Sequence, residues 1–490
     1  MASNLEHNRK LKHAGDLPVV DISTQNSKQP DYVPAELCQI EPGQPYVGRL
    51  APQETANMIR YACNIPEVNA QAIVYQGLSK LGLSSDNQSE TVSGFDISIS
   101  SAMAVIPARE LPAPRLSYKV GTANVRDGSW NILDVKFHRG GTVSSWWVLI
   151  VRDGPNAPIN SPNDPELASL IKGFAAKCER SGMIVAAPPA IIAARLLPPN
   201  QDPTRSGSID SIRQAIKKQL SVSKNMKPSF ILVILANVDN YIYPGIKRIG
   251  DVELGIHTVC MQHSKAFKDA RKQDQYFSNV ALKLNTKLKG VNHKLDAESM
   301  KWLTSKSTMI MGMDVTHPGP TSIRGAPSIA AVVASVDDTF VQFPASIRVQ
   351  KSKKEVRLST LTVPCCVCFD MILVSQQMIT DMNEMMTERL VVYHKHNKRL
   401  PERIYIYRDG VSEGQFATVL VEELPSMIDS FKRFNTRVYS PSGAPYRPKL
   451  SIIICGKRHH ARFYPTDLAH ADKNGNTKPG TVVDKGITEV

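Results

Sequence analysis

The pattern of this sequence predicts an α/β protein in which two sheet-and-helix units follow one another. Three observations carry that expectation. From about residue 125 to 290, six-residue apolar runs alternate with helical segments, the signature of a mostly parallel sheet covered by helices. From about residue 305 the order becomes strand, hairpin, helix, strand. The 490 residues, 42% of them apolar, suffice for about two to four domains with filled cores, and no internal repeat or long low-complexity tract points elsewhere.

The elements can be justified in chain order. Residues 1 to about 120 are mixed: an extended stretch, "YVPAELCQIEPGQPYVGRL", precedes two helix-like stretches, "PQETANMIRYAC" and "NAQAIVYQGLSKLGL". The first regular unit follows, with strand-like runs "WWVLIV" (146–151), "MIVAAP" (183–188), "FILVIL" (230–235) and "IHTVCM" (256–261). A helix is expected between the first two. Asp164 can cap it, Pro165 suits its first turn, Leu167, Leu170, Ile171, Phe174, Ala175 and Cys178 form one stripe, and Gly182 stops it. The prolines and polar residues of 194–208 predict a surface loop.

In the second unit, "STMIMGMDV" is read as a strand ending on Asp314. "PSIAAVVASV" and "TFVQFPASIRVQ" flank the turn residues Asp337 and Asp338 as in a hairpin. Ile379, Met382, Met385, Met386 and Leu390 fall at helical spacing from Met378 onward, and "IYIYRDG" closes the series as a strand ending on Asp409. That order suits a ribonuclease-H-like sheet.

Charge and cysteine content narrow the function. With 59 Lys+Arg against 45 Asp+Glu, the net charge of +14 suits a polyanion such as nucleic acid, or an acidic membrane face. The absence of an apolar run of about 18 residues, and of an apolar signal core near the start, leads to the expectation of an intracellular protein without a membrane partner, cytoplasmic with a nuclear pool. Eight cysteines, scattered apart from Cys365, Cys366 and Cys368 and with no second C-x-x-C to complete a zinc site, predict mostly small core residues rather than a metal site or disulfide frame.

Asp314 and Asp409 each follow an apolar strand. If the strands are neighbours, their carboxylates converge in the crevice beyond the strand ends and call for a cation. Hard oxygen ligands select Mg²⁺ or Mn²⁺, and two such ions about 4 Å apart suit phosphodiester hydrolysis. Each aspartate alone equally fits an Asx turn.

Four long segments in order, "MGMDVTHPG" (311–319), "PSIAAVVASVD" (327–337), "YRDGVSEGQF" (407–416) and "KRHHARFYPTD" (457–467), resemble the Piwi domain of a eukaryotic, fungal-like Argonaute. Upstream, "YPGIKRIGDVELGIHTVCMQ" and "NVALKLNTKLKGVN" resemble the Mid domain, and "YVPAELCQIEPGQPYVGRL" the end of the Paz domain and the start of the second linker. The resemblance implies the end of Paz over 1–34, the linker over 35–124, a Rossmann-like Mid domain over 125–295 and a ribonuclease-H-like Piwi domain over 296–490. It implies small guide RNA, complementary target RNA and silencing-complex proteins as partners, in RNA-mediated gene silencing. An RNA-guided endoribonuclease is the first reading and a non-cleaving silencing factor the alternative.

Residue by residue, the resemblance implies a metal site at Asp314 and Asp409. Glu355, seven residues after Arg348, becomes the third catalytic carboxylate, although by itself it reads as a solvated member of "KSKKE". Tyr243, Lys247, Lys283 and Lys287 match the residues that hold a guide's 5′ phosphate. Lys283 and Lys287, four apart on one helix face, repel unless an anion relieves them, and an ordinary basic helix face is the alternative. Where many relatives carry a phosphate-binding glutamine this chain has Val259, and "ANVDNY" (236–241) resembles the loop that reads the first base. His317, beside a turn-forming proline, is read as structural. Adjacent His459 and His460 would point to opposite faces of a strand and are read as RNA-contacting or structural.

Three departures qualify the resemblance. The chain starts inside the Paz-like region and stops before the motif with the fourth catalytic residue, so the expectation for the chain as written is no cleavage, with apolar surface left exposed on the Piwi core. Residues 356–377 interrupt the family pattern between Glu355 and "MITDMNEMM". Their 22 codons keep the frame and can begin and end on splice signals, so they read as a retained intron, with a genuine insertion the alternative.

Overall fold

In the computed structural model the described residues are 11–487 apart from 14, 24–30, 40–41, 44–49, 51, 85, 155–158, 160, 238, 268, 320–321, 323–324, 352–377, 440–442 and 458. Glu355 and the 356–377 segment therefore lie outside the described residues. The chain divides into two units, 1–63 with 319–323, and 64–318 with 324–490. The first holds an antiparallel pair, Val19–Asp21 with Tyr32–Pro34, and a helix, Pro52–Ala62. The second holds both sheets.

The first sheet is built from β1 (Trp146–Asp153), β2 (Ala190–Leu196), β3 (Phe230–Leu235) and β4 (Thr258–Gln262) in the order β2-β1-β3-β4, all parallel. Between them come α1 (Pro165–Arg180), α2 (Ser206–Val222) and α3 (Ile242–Lys247), with α4 (Ala270–Lys287) after β4. A parallel sheet wrapped on both faces needs strands apolar at every position, and all six residues of "FILVIL" are buried. Trp146, Val148 and Ile150 pack with α1 and α4, while Trp147, Leu149 and Val151 pack with Ile212 and Ile216 of α2 and Ile242 and Ile246 of α3. The helix expected after Asp164 forms as read: the Asp164 carboxylate accepts hydrogen bonds from the amides of Glu166 and Leu167.

Two boundaries differ from expectation here. The edge strand is Ala190–Leu196, while the expected "MIVAAP" strand shrinks to Ile184–Val185, paired with Thr142–Val143. The expected loop 194–208 accordingly keeps only its middle, since the strand runs to Leu196 and α2 begins at Ser206. Ladder pairing with β1, which no local signal reveals, overrides the loop-like composition.

The second sheet comprises β5 (Thr308–Thr316), β6 (Ser328–Ala334), β7 (Ala345–Gln350), β8 (Arg403–Asp409) and β9 (Lys449–Cys455) in the order β7-β6-β5-β8-β9. β5, β6 and β7 are antiparallel neighbours; β5, β8 and β9 run parallel. Two helices, α5 (Met382–Asn397) and α6 (Leu424–Phe431), cover one face with a methionine-rich core: Met309, Met311 and Met313 meet Met382, Met385, Met386 and Met427. α5 starts at Met382 rather than Met378 because the Gln350 side chain intercepts the preceding backbone, donating to Met378 O at 2.9 Å and accepting from Thr380 N.

Of the five described cysteines only Cys178 is buried; Cys38 and Cys63 are exposed, against the expectation of core residues, and all five are free thiols. Among the described residues no helix is long and apolar enough to cross a membrane.

Candidate functional site

Register parity places the two aspartates. Met313 pairs with Arg408 across β5 and β8, so Asp314 and Asp409 stand next to one another at the strand ends. Met309, Met311 and Met313 face the methionine core, as do Ile404, Ile406 and Arg408, so the alternating side chains of Asp314 and Asp409 project together onto the opposite face. β5 continues through Thr316 instead of ending on Asp314. Gly410 turns the chain away at φ +79°, and a Cβ there would lie 3.2 Å from Asp314 Oδ1, so the next backbone fits tightly beside the first carboxylate.

Backbone amides occupy part of this pair: Val315 N donates to Asp314 Oδ1 at 2.8 Å and Gly410 N to Asp409 Oδ1 at 2.9 Å. Lys457, two residues beyond the Cys455 that pairs with Asp409, brings its ammonium onto Asp409 Oδ2. That contact holds the Asp409 carboxyl below the usual carboxylate range and raises the lysine, with Asp314 adding to the lysine shift. Residues 459–461 lie outside any strand, and His459 uses its carbonyl to accept from Arg462. His317 is tied through Nδ1 to Ser328 Oγ at 2.8 Å, in keeping with a structural role.

Beneath the pair, Arg408 and Glu423 are 1% and 0% exposed and bond bidentately, Nε to Oε2 at 3.0 Å and Nη2 to Oε1 at 2.8 Å. The same guanidinium donates from Nη1 to Asp409 O at 2.6 Å, and Glu423 Oε1 accepts from Ile379 N at 2.9 Å. Buried charges of this kind are retained only when fully bonded, and these bonds fix the end of β8 that presents Asp409. The described residues contain no cluster of three or more metal-ligating side chains, so they supply a two-carboxylate set here. Two hard oxygen donors on one open face fit a Mg²⁺-type ion, which keeps most of its waters and takes further ligands from a phosphate substrate.

The second constellation lies in the first sheet. Lys247 Nζ donates to Thr258 O at 2.7 Å and Thr258 Oγ1 at 2.8 Å, and sits 5.6 Å from the Tyr243 ring centroid. Burial pushes its amine below the ordinary lysine range; Lys287 and Lys283 act in the same direction, against Cys260 and Asp251. Lys283 and Lys287 both lie on α4, and no carboxylate forms an ion pair with either among the described residues. Asn285, fully buried between them, locks the helix end by accepting from Gly141 N at 2.7 Å and donating to Arg139 O at 3.2 Å. Gly290 lies against it, with room for no Cβ: one would stand 2.2 Å from Asn285 Oδ1.

Of the four residues expected at a phosphate site, Tyr243 and Lys247 are in contact, and Lys283 and Lys287 act on Lys247 electrostatically from α4. Val259 is buried in the core beside α4 rather than presented to it. His257 is a neighbour that sequence reading missed: burial and Lys287 hold its imidazole below the ordinary histidine range. Three lysines with one exposed tyrosine, opposed by Cys260 and Asp251, suit an anion with an aromatic neighbour.

Comparison with known proteins identifies the family. The Piwi domain family matches residues 230–490 and the Argonaute linker 2 domain matches 68–118. Protein argonaute 18 of Oryza sativa subsp. japonica is 30% identical over 99% of this chain and 40% of its own length, and protein argonaute 5 of Arabidopsis thaliana is 30% identical over 98% and 44%. The chain therefore spans less than half the length of these relatives. Among solved structures, Kluyveromyces polysporus Argonaute with a guide RNA superposes with a TM-score of 0.69 at 26% identity, over 96% of this chain and 50% of that one. The C-terminal lobe of a budding yeast Argonaute matches with a TM-score of 0.61 at 28% identity, over 78% and 74%.

Proposed function

Because the chain belongs to the Argonaute family, by the Piwi domain over its C-terminal half, we propose that it binds the 5′ end of a small guide RNA in gene silencing. One observation carries this reading: Tyr243, Lys247, Lys283 and Lys287 converge on a site where the lysine charges lack carboxylate partners among the described residues. A terminal phosphate supplies the missing charge, and the Tyr243 ring, 49% exposed, offers a stacking surface or a hydroxyl to the terminal nucleotide. Complementary target RNA and silencing-complex proteins are the further partners of this reading. In the test, the chain binds RNAs differing only in a 5′ phosphate or 5′ hydroxyl. A preference of at least about tenfold for phosphate, lost in Lys283→Ala/Lys287→Ala, is expected; equal affinities sink the proposal.

Asp314 and Asp409 on one open face favour a second reading, RNA-guided endoribonuclease. The family implies divalent-metal-dependent nuclease chemistry, and Asp314, Asp409 and Glu355 would hold Mg²⁺ or Mn²⁺, which supplies water activation and charge neutralisation in phosphodiester hydrolysis. The chain's own part is to orient the two carboxylates through Arg408, Glu423 and Gly410. Guide-loaded protein with Mg²⁺ and a complementary target tests it: cleavage that disappears in Asp314→Ala and Asp409→Ala supports the reading, and an intact target in all three proteins supports a non-cleaving binder.

A further inference from the structure

The carboxyl ends of three parallel strands meet at one buried arginine. Arg205 is 2% exposed and sits just before α2 at φ +58°, a left-handed conformation that an arginine keeps only when its surroundings impose it. Its Nη1 donates to Leu197 O, the residue after β2, at 2.6 Å. Its Nη2 donates at 3.0 Å to Oδ1 of Asp153, the last residue of β1. Its Nε lies 3.0 Å from Oδ2 of Asp239, in the loop after β3. One guanidinium thus spans the crevice beyond the strand ends, the place where open α/β sheets take ligands.

Asp239 has a different task on each oxygen. Oδ2 faces Arg205, while Oδ1 accepts from Tyr241 N at 2.8 Å and Ile242 N at 3.0 Å, capping the first turn of α3. That helix carries Tyr243 and Lys247. The helical segment that Asp239 caps continues past Lys247 through a π-helical stretch to Leu254, so whatever holds its first turn sets where the segment starts and how Tyr243, one residue on, is presented. Asp153, on the same guanidinium and equally shielded at 20% against 22% exposure, makes no hydrogen bond or ion pair with α3 among the described residues.

We propose that Arg205, acting through Asp239, is a positioning residue that sets where the Tyr243 ring and the Lys247 amine meet the terminal nucleotide and 5′ phosphate of the guide. The inference rests on the guide-end reading above. It assigns to a buried ion pair more than stability: the pair transmits the geometry of the sheet edge to the RNA-facing helix turn.

The two carboxylates separate this role from a merely structural one. Asp239→Asn keeps an oxygen to cap α3 but removes the ionic hold; Asp153→Asn removes the matching charge elsewhere on the same arginine. Either change deletes a negative charge, which by itself strengthens binding of any RNA. The full chain and both variants are titrated with RNAs bearing a 5′ phosphate or a 5′ hydroxyl, and their melting temperatures are recorded. Asp239→Asn is expected to lower the phosphate preference about tenfold, through loss of the ionic contact at its cap, and Asp153→Asn to leave it within about twofold. Arg205→Lys, which keeps the charge without the fork, falls between and serves if Asp239→Asn does not fold. Equal changes in both Asn variants, or an unchanged preference in Asp239→Asn or Arg205→Lys beside a lowered melting temperature, overturn the positioning role and leave the guide-end reading standing. A wild-type chain without phosphate preference overturns both.

Discussion

The two sheets answer the same burial problem differently. The β1–β4 sheet is wrapped on both faces, so consecutive residues such as Leu149 and Ile150 are both buried, each in a separate core. The β5–β9 sheet is packed on one face by α5 and α6, while Ile329, Ile347, Val349, Tyr407 and Ile453 remain exposed on the other. A fully wrapped sheet can offer chemistry only beyond its strand ends and on its helices, and there Tyr243, Lys247, Lys283 and Lys287 are found. A sheet with one open face can present strand side chains directly, as Asp314 and Asp409 are. The proposed polyanion and metal sites thus belong to two kinds of sheet.

The contrast can be broken most forcefully at Glu423. Glu423→Ala leaves Arg408 charged and buried without its partner, and should cost about 3–5 kcal/mol in urea unfolding. A loss under about 1 kcal/mol would mean that the pair is not what holds the end of β8. Next come the faces themselves. Leu149→Ala and Ile150→Ala should each cost about 2–5 kcal/mol, because neither face of the first sheet is free. In the second sheet Ile406→Ala should cost as much, but Ile347→Ala, at 61% exposure, only about 0.5 kcal/mol. Equal losses at Ile406 and Ile347 would show that the open face is covered in solution.

A smaller effect concerns the connection between β7 and α5. Gln350 already holds Met378 O, so five residues, 351–355, can close the gap once 356–377 are deleted. Shortening that connection from 27 residues to five should raise stability by about 1.5 kcal/mol through loop-closure entropy. A deletion that lowers the melting temperature would make the segment an integral insertion.

The smallest expected effect is at Lys457. Lys457→Met removes a cation that competes for Asp409, and Mn²⁺ titration should show binding tighter by up to about fivefold. The lowered Asp409 pKa works in a stated direction: its stabilising contribution is present above the ordinary carboxylate range and lost as pH falls through the lowered value. The stability difference between wild type and Lys457→Met should therefore begin to shrink as pH falls below about 4 and vanish only below the lowered Asp409 value; a difference that does not shrink in acid would exclude the ion pair as its source.

Much was legible from sequence alone, for local reasons. Asp164, Pro165 and Gly182 marked a helix because capping is a matter of a few adjacent residues, and "FILVIL" marked a strand because a doubly buried strand cannot alternate. The family motifs named Asp314, Asp409 and the four guide-end residues by position. Nothing in "IYIYRDG" says that Arg408 is buried on Glu423, or that its neighbour faces the other way; that parity follows from which side α5 and α6 cover. The end of Ala190–Leu196, from residue 194 on, was read as loop because its strand identity comes from β1. Arg205 stood in a polar, proline-rich stretch with no local mark, since its partners lie 52 and 34 residues away at the ends of other strands. The sequence by itself therefore determined the helices, the buried strands and the identity of the acidic and basic residues, because those depend on short-range pattern. Register, the open face and the buried charge pairs were decided only by the tertiary structure, because each depends on a partner distant in the chain.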